Sequence, residues 1–161
     1  MIAIFWYVSL SIPIVIVFIP GAIITFVLYL NPFQKNLPKP DKILPVYLVA
    51  LGIQLLHFAE EYVTDFHLVV PELLNQPDYP LDYLVVFNMV AYAAFILGTI
   101  VLMKQIKVLM VIPLFFIVVG VFLNSVGHVL ISIYVGGYFC GLYTAIIYFF
   151  LWPVLIKRLS V

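Results

Sequence analysis

Residues 108–156 read VLMVIPLFFIVVGVFLNSVGHVLISIYVGGYFCGLYTAIIYFFLWPVLI and contain no Asp, Glu, Lys or Arg. A helix needs about 20 apolar residues to cross the hydrocarbon core of a bilayer. This stretch of 49 residues is therefore long enough for two crossings, and Gly136-Gly137 within it is typical of the turn between them. The sequence predicts spanning helices over 108–134 and 138–156.

Three more uncharged stretches precede this one, at residues 1–34, 43–59 and 83–103. They predict helices over 2–30, 43–64 and 82–103, the second of which takes Glu60 and Glu61 into the membrane. We therefore expect an all-α fold, a polytopic bundle of five transmembrane helices that forms a single membrane domain over 1–161.

The composition excludes most other classes of protein. Hydrophobic residues make up 66% of the 161 residues and charged residues 9%, whereas roughly a quarter of a soluble domain is charged. A soluble domain of this size could not bury so much apolar surface, and a disordered chain would not contain it. The formal net charge is zero, so no basic excess favours nucleic acid as a partner.

The basic residues predict the orientation. With five spans, all of them fall in segments on one side of the membrane: Lys35, Lys39, Lys42, Lys104, Lys107, Lys157 and Arg158. Cytoplasmic loops carry the excess of Lys and Arg. We therefore expect a protein integral to the cytoplasmic membrane, with its N-terminus outside and its C-terminus in the cytoplasm. For the outer segment 65–81, the sequence favours a connecting loop over a short surface helix that acts as a lid.

Ionisable residues inside a membrane are costly and usually functional. The second predicted helix carries His57, Glu60 and Glu61, and on a helix both i+3 and i+4 project on the same side as i. The fourth carries Asn124 and His128, again four residues apart. These two faces predict one shared polar site.

Depth along the helices supports this site. At about 1.5 Å per residue, both clusters lie in the outer third of the membrane. The third and fifth helices bring polar residues to the same layer: Asn88, Tyr138, Tyr143 and Thr144. We therefore expect helices 2 and 4 to build an outward-facing pocket that helices 3 and 5 close.

The pattern resembles the HXXEE family of small prokaryotic integral membrane proteins, whose function is uncharacterised. His57, Glu60 and Glu61 match its H-x-x-E-E motif, and His128 matches a downstream histidine. Tyr138-Phe139-Cys140-Gly141 matches a Y-x-P-G motif except that Cys140 replaces the proline. The resemblance implies a site at these residues rather than a particular activity.

Two kinds of enzyme fit the pattern. In the first, Glu60 and Glu61 act as acid and base without a metal, because two adjacent carboxyls in an apolar layer do not both ionise easily. In the second, His57, Glu60, Glu61 and His128 supply the ligands of one zinc or iron ion. Asn124 and Tyr138 would position groups by hydrogen bonds in either case. We favour an isomerase, cyclase or hydrolase type that acts on a lipid-like or isoprenoid substrate.

Two alternatives without catalysis stay open. The same side chains could form a proton or ion path in a small transporter, with a homo-oligomer supplying further helices. They could also form a buried His–Glu network that only fixes the packing of a membrane scaffold. In every case, membrane lipids and hydrophobic small molecules are the expected partners.

Overall fold

The structure is a computed structural model, and it describes residues 12–30 and 37–159. Within these ranges the regular structure is entirely helical, so the predicted all-α class is confirmed. Seven α-helices are described in chain order: α1 (Ile12–Leu30), α2 (Pro40–Val63), α3 (Phe66–Leu73), α4 (Leu81–Lys104), α5 (Val111–Phe115), α6 (Asn124–Val135) and α7 (Leu142–Leu159).

Four helical rods in the described part of the chain are long and apolar enough to cross a membrane: Pro40–Val63, Leu81–Lys104, Lys107–Val135 and Leu142–Leu159. The apolar part of α1, Val17–Leu30, is shorter. The predicted first span, 2–30, begins on residues that lie outside the described ranges. Membrane-spanning helices are therefore supported, and the fifth crossing stays a prediction.

The helix α2 is in contact with two other long helices. It packs against α4 on one side and α7 on the other, while α7 also packs against α6 and α1 packs against α5. Away from the polar layer, the centre is filled by buried apolar side chains such as Ile43, Leu102, Met110 and Leu114. Many large apolar residues of the same helices are exposed, as expected for surfaces that face lipid.

The helices α5 and α6 are joined by a π-helical segment, Phe116–Leu123. A π segment is rare and is often found beside functional sites. This one packs against α1 and α7, so it lies across the middle of the bundle. It ends directly before Asn124, the first residue of α6.

The prediction of a plain loop over 65–81 is wrong, because the segment contains the helix α3. Asp65, in the left-handed conformation with φ 56°, separates α3 from the end of α2. The other boundaries agree more closely with the sequence. Gly136 ends α6 with φ 70°, which confirms the predicted turn, whereas α7 begins at Leu142, four residues later than predicted.

Candidate functional site

Three side chains from two helices meet inside the bundle. Glu61 Oε1 lies 3.4 Å from His57 Nε2, one turn before it on α2, and 3.4 Å from His128 Nε2 on α6. The two imidazole rings are edge to face, with centroids 4.7 Å apart. All three residues are buried, at 0%, 6% and 4% exposure for His57, Glu61 and His128. We refer to these three residues as the His-Glu-His cluster.

The second nitrogen of each imidazole is held by a partner that fixes its proton. His128 Nδ1 lies 2.5 Å from the carbonyl oxygen of Cys140, which can only accept, so this nitrogen is a donor. His57 Nδ1 lies 2.7 Å from Thr144 Oγ1. The Thr144 hydroxyl donates its own proton to Glu60 Oε2 at 2.6 Å, so it accepts from His57. The Nε2 atoms of both rings therefore face Glu61, and His57 Nε2 also lies within hydrogen-bond distance of Asn124.

Glu60 is adjacent to Glu61 in the chain but points to a different helix. Its Oε1 accepts hydrogen bonds from the backbone N–H of Tyr143 at 3.0 Å and from the hydroxyl of Tyr138 at 2.8 Å. Its Oε2 accepts from the backbone N–H of Thr144 at 3.0 Å, as well as from the Thr144 hydroxyl. These N–H groups belong to the first turn of α7, which lacks partners within its own helix. Glu60 therefore caps α7 from the neighbouring helix.

Gly141 allows the start of α7 to approach the cluster closely. Its φ of +82° is a conformation that residues with a side chain rarely adopt. A Cβ atom at this position would lie 2.7 Å from His128 Cε1 and 2.8 Å from His57 Cε1. The backbone before α7 thus closes over both imidazoles at a point where only glycine fits.

Asn124 and Tyr138, the predicted positioning residues, lie at different distances from the cluster. Asn124 Nδ2 lies 2.7 Å from His57 Nε2, so Asn124 touches the cluster directly. Tyr138 lies between α6 and α7 and reaches Glu60 rather than the cluster. Burial and the hydrogen bond to Glu60 raise the pKa of Tyr138 to about 12, so its hydroxyl remains a donor at neutral pH.

A cavity of about 170 Å³ adjoins the cluster on the side away from α7. His57, Glu61 and Asn124 line it at one place. Its remaining walls come from α1, α3, α4, the π segment and the loop before α4, and they include Phe66, Tyr79, Leu84, Phe87, Phe95 and Val119. A mostly apolar cavity with a few convergent polar groups is the usual form of a small-molecule site.

Tyr79, in the loop between α3 and α4, also lines this cavity. Burial and the nearby Glu61 charge raise the pKa of Tyr79, so its hydroxyl stays protonated at neutral pH. The segment 65–81 therefore contributes to the site through Phe66, Val70 and Tyr79, which together cover one end of the cavity.

The chain was compared with protein-family models, curated proteins and solved structures. Residues 48–156 match the family model described as "Protein of unknown function with HXXEE motif". The chain belongs to the HXXEE family. No curated protein and no solved structure matches it. The match covers α2 from Leu48 onward together with every later element that contributes to the cluster.

The two glutamates of the HXXEE motif bind different parts of the structure. The first, Glu60, binds the start of α7, and the second, Glu61, binds both histidines. The prediction that His57 shares a face with both glutamates is therefore only half right, because Glu60 reaches His57 only through the Thr144 hydroxyl. Of the four predicted ligands, the structure groups His57, Glu61 and His128.

The roles of several residues in the site were not predicted from the sequence. Thr144 was placed at the right depth, but its link between His57 and Glu60 is visible only in three dimensions. The Cys140 carbonyl and Gly141 act through the backbone, which leaves no mark on a pattern of polar side chains. Tyr79 lies in a loop that the sequence interpretation treated as a connection.

Proposed function

We propose that this HXXEE protein is a membrane-embedded enzyme that uses one divalent metal ion, bound by His57, Glu61 and His128, to act on a hydrophobic, lipid-like substrate. The observation that carries the proposal is the convergence of two imidazole Nε2 atoms on one carboxylate oxygen, each at 3.4 Å, in a buried layer. The other nitrogen of each imidazole is already occupied as a donor.

A cation accounts for this convergence. When both imidazoles are neutral, their Nε2 atoms and the carboxylate are three acceptors, and acceptors that face one another in an apolar environment repel. Among the described residues, Asn124 lies within hydrogen-bond distance of this group through its amide nitrogen, and it reaches only His57. A metal ion at the centre would bind all three acceptors at once. By turning its amide, Asn124 would offer its oxygen to the same ion.

The distances fit a metal site. Ligand atoms about 2.0 to 2.1 Å from a tetrahedral zinc ion are about 3.3 Å from one another. The two distances from Glu61 Oε1 to the histidines, 3.4 Å each, are close to this value, and all three ligand atoms lie within 4.8 Å of one another. Two histidines and one carboxylate, with positions left open, are typical of catalytic zinc and of non-haem iron. Metal-bound histidines usually donate their other N–H to a carbonyl or a comparable partner, as both histidines do here.

The cavity supports a catalytic role. His57, Glu61 and Asn124 line it together, so the open positions of the ion would face the substrate. When bound there, such an ion polarises a carbonyl group or lowers the pKa of a bound water. Tyr79, which lines the same cavity from the loop before α4, would donate a hydrogen bond to a reacting oxygen.

The packing beyond the cluster favours an enzyme over a transporter. From His57 toward the start of α2, the polar path ends at Gln54, which accepts a hydrogen bond from Tyr148 at 2.9 Å. Beyond it, the described core contains fully buried apolar side chains such as Ile43, Met110 and Leu155. An ion would have to cross this close-packed region, whereas a substrate that enters the cavity from the membrane would not.

The lysines and arginine support a position in the cytoplasmic membrane with the cluster near the outer leaflet. The described basic residues of the two connecting segments, Lys39, Lys42, Lys104 and Lys107, lie at the end of the helices opposite the cluster. With the C-terminal Lys157 and Arg158 they would form the cytoplasmic side. We expect the bilayer itself to supply the substrate.

Metal analysis of the purified protein tests the proposal. The protein is purified without chelator, and a second sample is loaded anaerobically with Zn²⁺ or Fe²⁺ before dialysis. We expect about one ion per chain in the native protein, and loss of the ion in Glu61→Gln and His128→Ala. Asn88→Asp serves as a control that adds a carboxylate to the same cavity outside the cluster.

Lipid extracts of cells that express the native protein or Glu61→Gln would then show which lipid pool depends on the cluster. Folded native protein that binds neither ion after loading would exclude the metal-dependent mechanism. Equal metal content in the native protein and in folded Glu61→Gln would exclude this site.

A further inference from the structure

A second cavity adjoins the first, and no polar side chain in the described part of the chain lines it. It measures about 300 Å³ and lies between α1, α4 and α5. Four residues line both cavities, Phe18, Phe87, Ala91 and Phe95, so the two are neighbours along one path. The path leads from the polar wall at Asn124 toward the start of α5.

The path is as long as the hydrocarbon part of a lipid. Val111 lines the second cavity and Asn124 lines the first. Thirteen residues separate them along one helical rod, which corresponds to at most about 20 Å, because the π segment between them rises less per residue than an α-helix. One leaflet of the hydrocarbon core is about 15 Å deep. A chain that begins at the cluster would therefore be accommodated over its length.

Aromatic rings in contact close the boundary between the two cavities. The ring of Phe18 lies 5.6 Å from that of Phe87 and 5.5 Å from that of Phe115, centroid to centroid. A chain that passes from one cavity to the other must displace these rings, and two chains side by side would have to displace more of the packing around them. This boundary disfavours a lipid with two acyl chains.

The charges of the walls limit the head group. Among the described residues, no Lys or Arg lines either cavity. The uncharged polar groups are confined to the first cavity and include Gln54, Tyr79, Asn88 and Asn124. A phosphate or sulfate head would find no basic side chain there, whereas an ester, amide or alcohol would find hydrogen-bond partners.

From these observations we propose that the substrate is a single-chain lipid with a small, uncharged oxygen-containing head. The head lies at the His-Glu-His cluster, and the chain passes Phe18 and Phe87 into the second cavity. This inference rests on the proposed function for the position of the head, whereas the position of the chain follows from the cavities alone.

Photolabelling in lipid nanodiscs tests the position of the chain. The probe is a long-chain alkyl hydroxamate, which has a neutral, metal-binding head, with a diazirine at the far end of the chain. We expect labelling of α5 and of the α4 residues around Ala94, mapped by mass spectrometry. A second probe, with the diazirine beside the head, is expected to label α2 and α3 around Glu61 and Phe66.

Matched variants separate binding from nonspecific contact with lipid. Ala94 lines the second cavity, whereas Ala93, its neighbour in the chain, is exposed on the outer surface. Ala94→Trp is expected to abolish labelling by the chain-end probe, and Ala93→Trp is expected to leave it unchanged. If Ala94→Trp does not fold, Ala94→Leu is used with probes of decreasing length, and the longest accepted chain is expected to become shorter.

The outcomes distinguish this inference from the proposed function. Labelling confined to lipid-facing residues, or unaffected by filling the second cavity, would overturn the inference even in a protein that binds metal. Chain-end labelling at Ala94 in a protein that binds no metal would support the chain site and refute the metal mechanism. A long-chain alkyl phosphate that competes as well as an alkyl alcohol would overturn the choice of an uncharged head.

Discussion

Glu60 and Glu61 are consecutive residues whose carboxylates serve different helices. Glu60 accepts four hydrogen bonds from Tyr138, Tyr143 and Thr144, and Glu61 lies between His57 and His128. Consecutive helical residues point about 100° apart, which is how one motif reaches two neighbours. Substitutions of the two residues are therefore expected to affect different properties of the protein.

Glu60→Gln is expected to destabilise the protein and to keep the metal. An amide nitrogen would face N–H and O–H donors of α7, which we expect to cost about 1 to 2 kcal/mol of the free energy of unfolding. Thermal unfolding in detergent and metal content measure the two effects. Glu72→Gln, on the exposed side of α3, is the control and should change neither. Loss of metal at unchanged stability would instead make Glu60 a ligand.

Gly141→Ala is expected to disrupt the cluster even though no ligand is removed. The substitution places a methyl group against both imidazoles and requires a positive φ, so α7 must move away from His57 and His128. We expect a lower melting temperature and at least a tenfold weaker affinity for metal, as is found when partners of metal ligands are disturbed.

Gly137→Ala is the matched control for this change. Gly137 precedes α7 in the same connection, has no atom within 4 Å of the added methyl group, and should tolerate it. Metal affinity in Gly141→Ala equal to that of Gly137→Ala would show that the close approach of α7 is not needed.

The sequence was sufficient to predict which polar residues meet, but not which hydrogen-bond partner each of them has. His57, Glu61, Asn124 and His128 could be found because each lies in an apolar helix at a similar depth. The separation of Glu60 from this group depends on where α7 begins. That point is set by Gly141 and by backbone hydrogen bonds, which a search for polar side chains does not detect.

At the level of the helices, the long apolar stretches predicted α2, α4 and α7 to within a few residues. Hydropathy succeeds there because a helix is the form in which a spanning segment satisfies its own backbone. It fails for α3, an eight-residue helix whose apolar residues are interrupted by Pro71 and Glu72. It also cannot reveal the π segment, whose eight residues read like any other apolar helix.

The contact between α2 and α4 depends on one glycine. A methyl group at Gly98 of α4 would lie 2.3 Å from the hydroxyl oxygen of Tyr47, which donates a hydrogen bond to Phe95. Gly98→Ala is therefore expected to separate the two helices and to cost about 1 to 3 kcal/mol of stability. Thermal unfolding in detergent measures this loss.

Gly52→Ala provides the comparison for this helix pair. Gly52 lies on the exposed side of α2 with no atom within 4 Å of an added methyl group. This change should be neutral or should stabilise the helix by up to about 1 kcal/mol. Equal effects of the two substitutions would contradict a close approach of α2 and α4 at Gly98.

For the whole molecule, the orientation can be tested with single cysteines. Cys140 is the one cysteine of the chain, so Cys140→Ala gives a cysteine-free background. Asn75, in the loop before α4, and Val108, between α4 and α5, are both exposed at opposite ends of the bundle. In intact cells we expect a membrane-impermeant maleimide to label Asn75→Cys and not Val108→Cys.

After the cells are opened, both cysteines should react. The reverse pattern in intact cells would place the lysines outside and the His-Glu-His cluster near the inner leaflet. The proposed metal site and the cavities would be unchanged by such a result, but the proposed substrate would come from the other leaflet.

The cap that Glu60 provides for α7 has a consequence for biosynthesis. Two histidines and a glutamate emerge from the ribosome with α2 and α6, yet the groups that orient both imidazoles, Thr144 and the Cys140 carbonyl, are translated afterwards. Until α7 has inserted, the Nδ1 atoms of both rings lack these partners. Metal binding at the proposed site would therefore follow insertion of α7. A partly translated chain would not bind a wrong ion at this site.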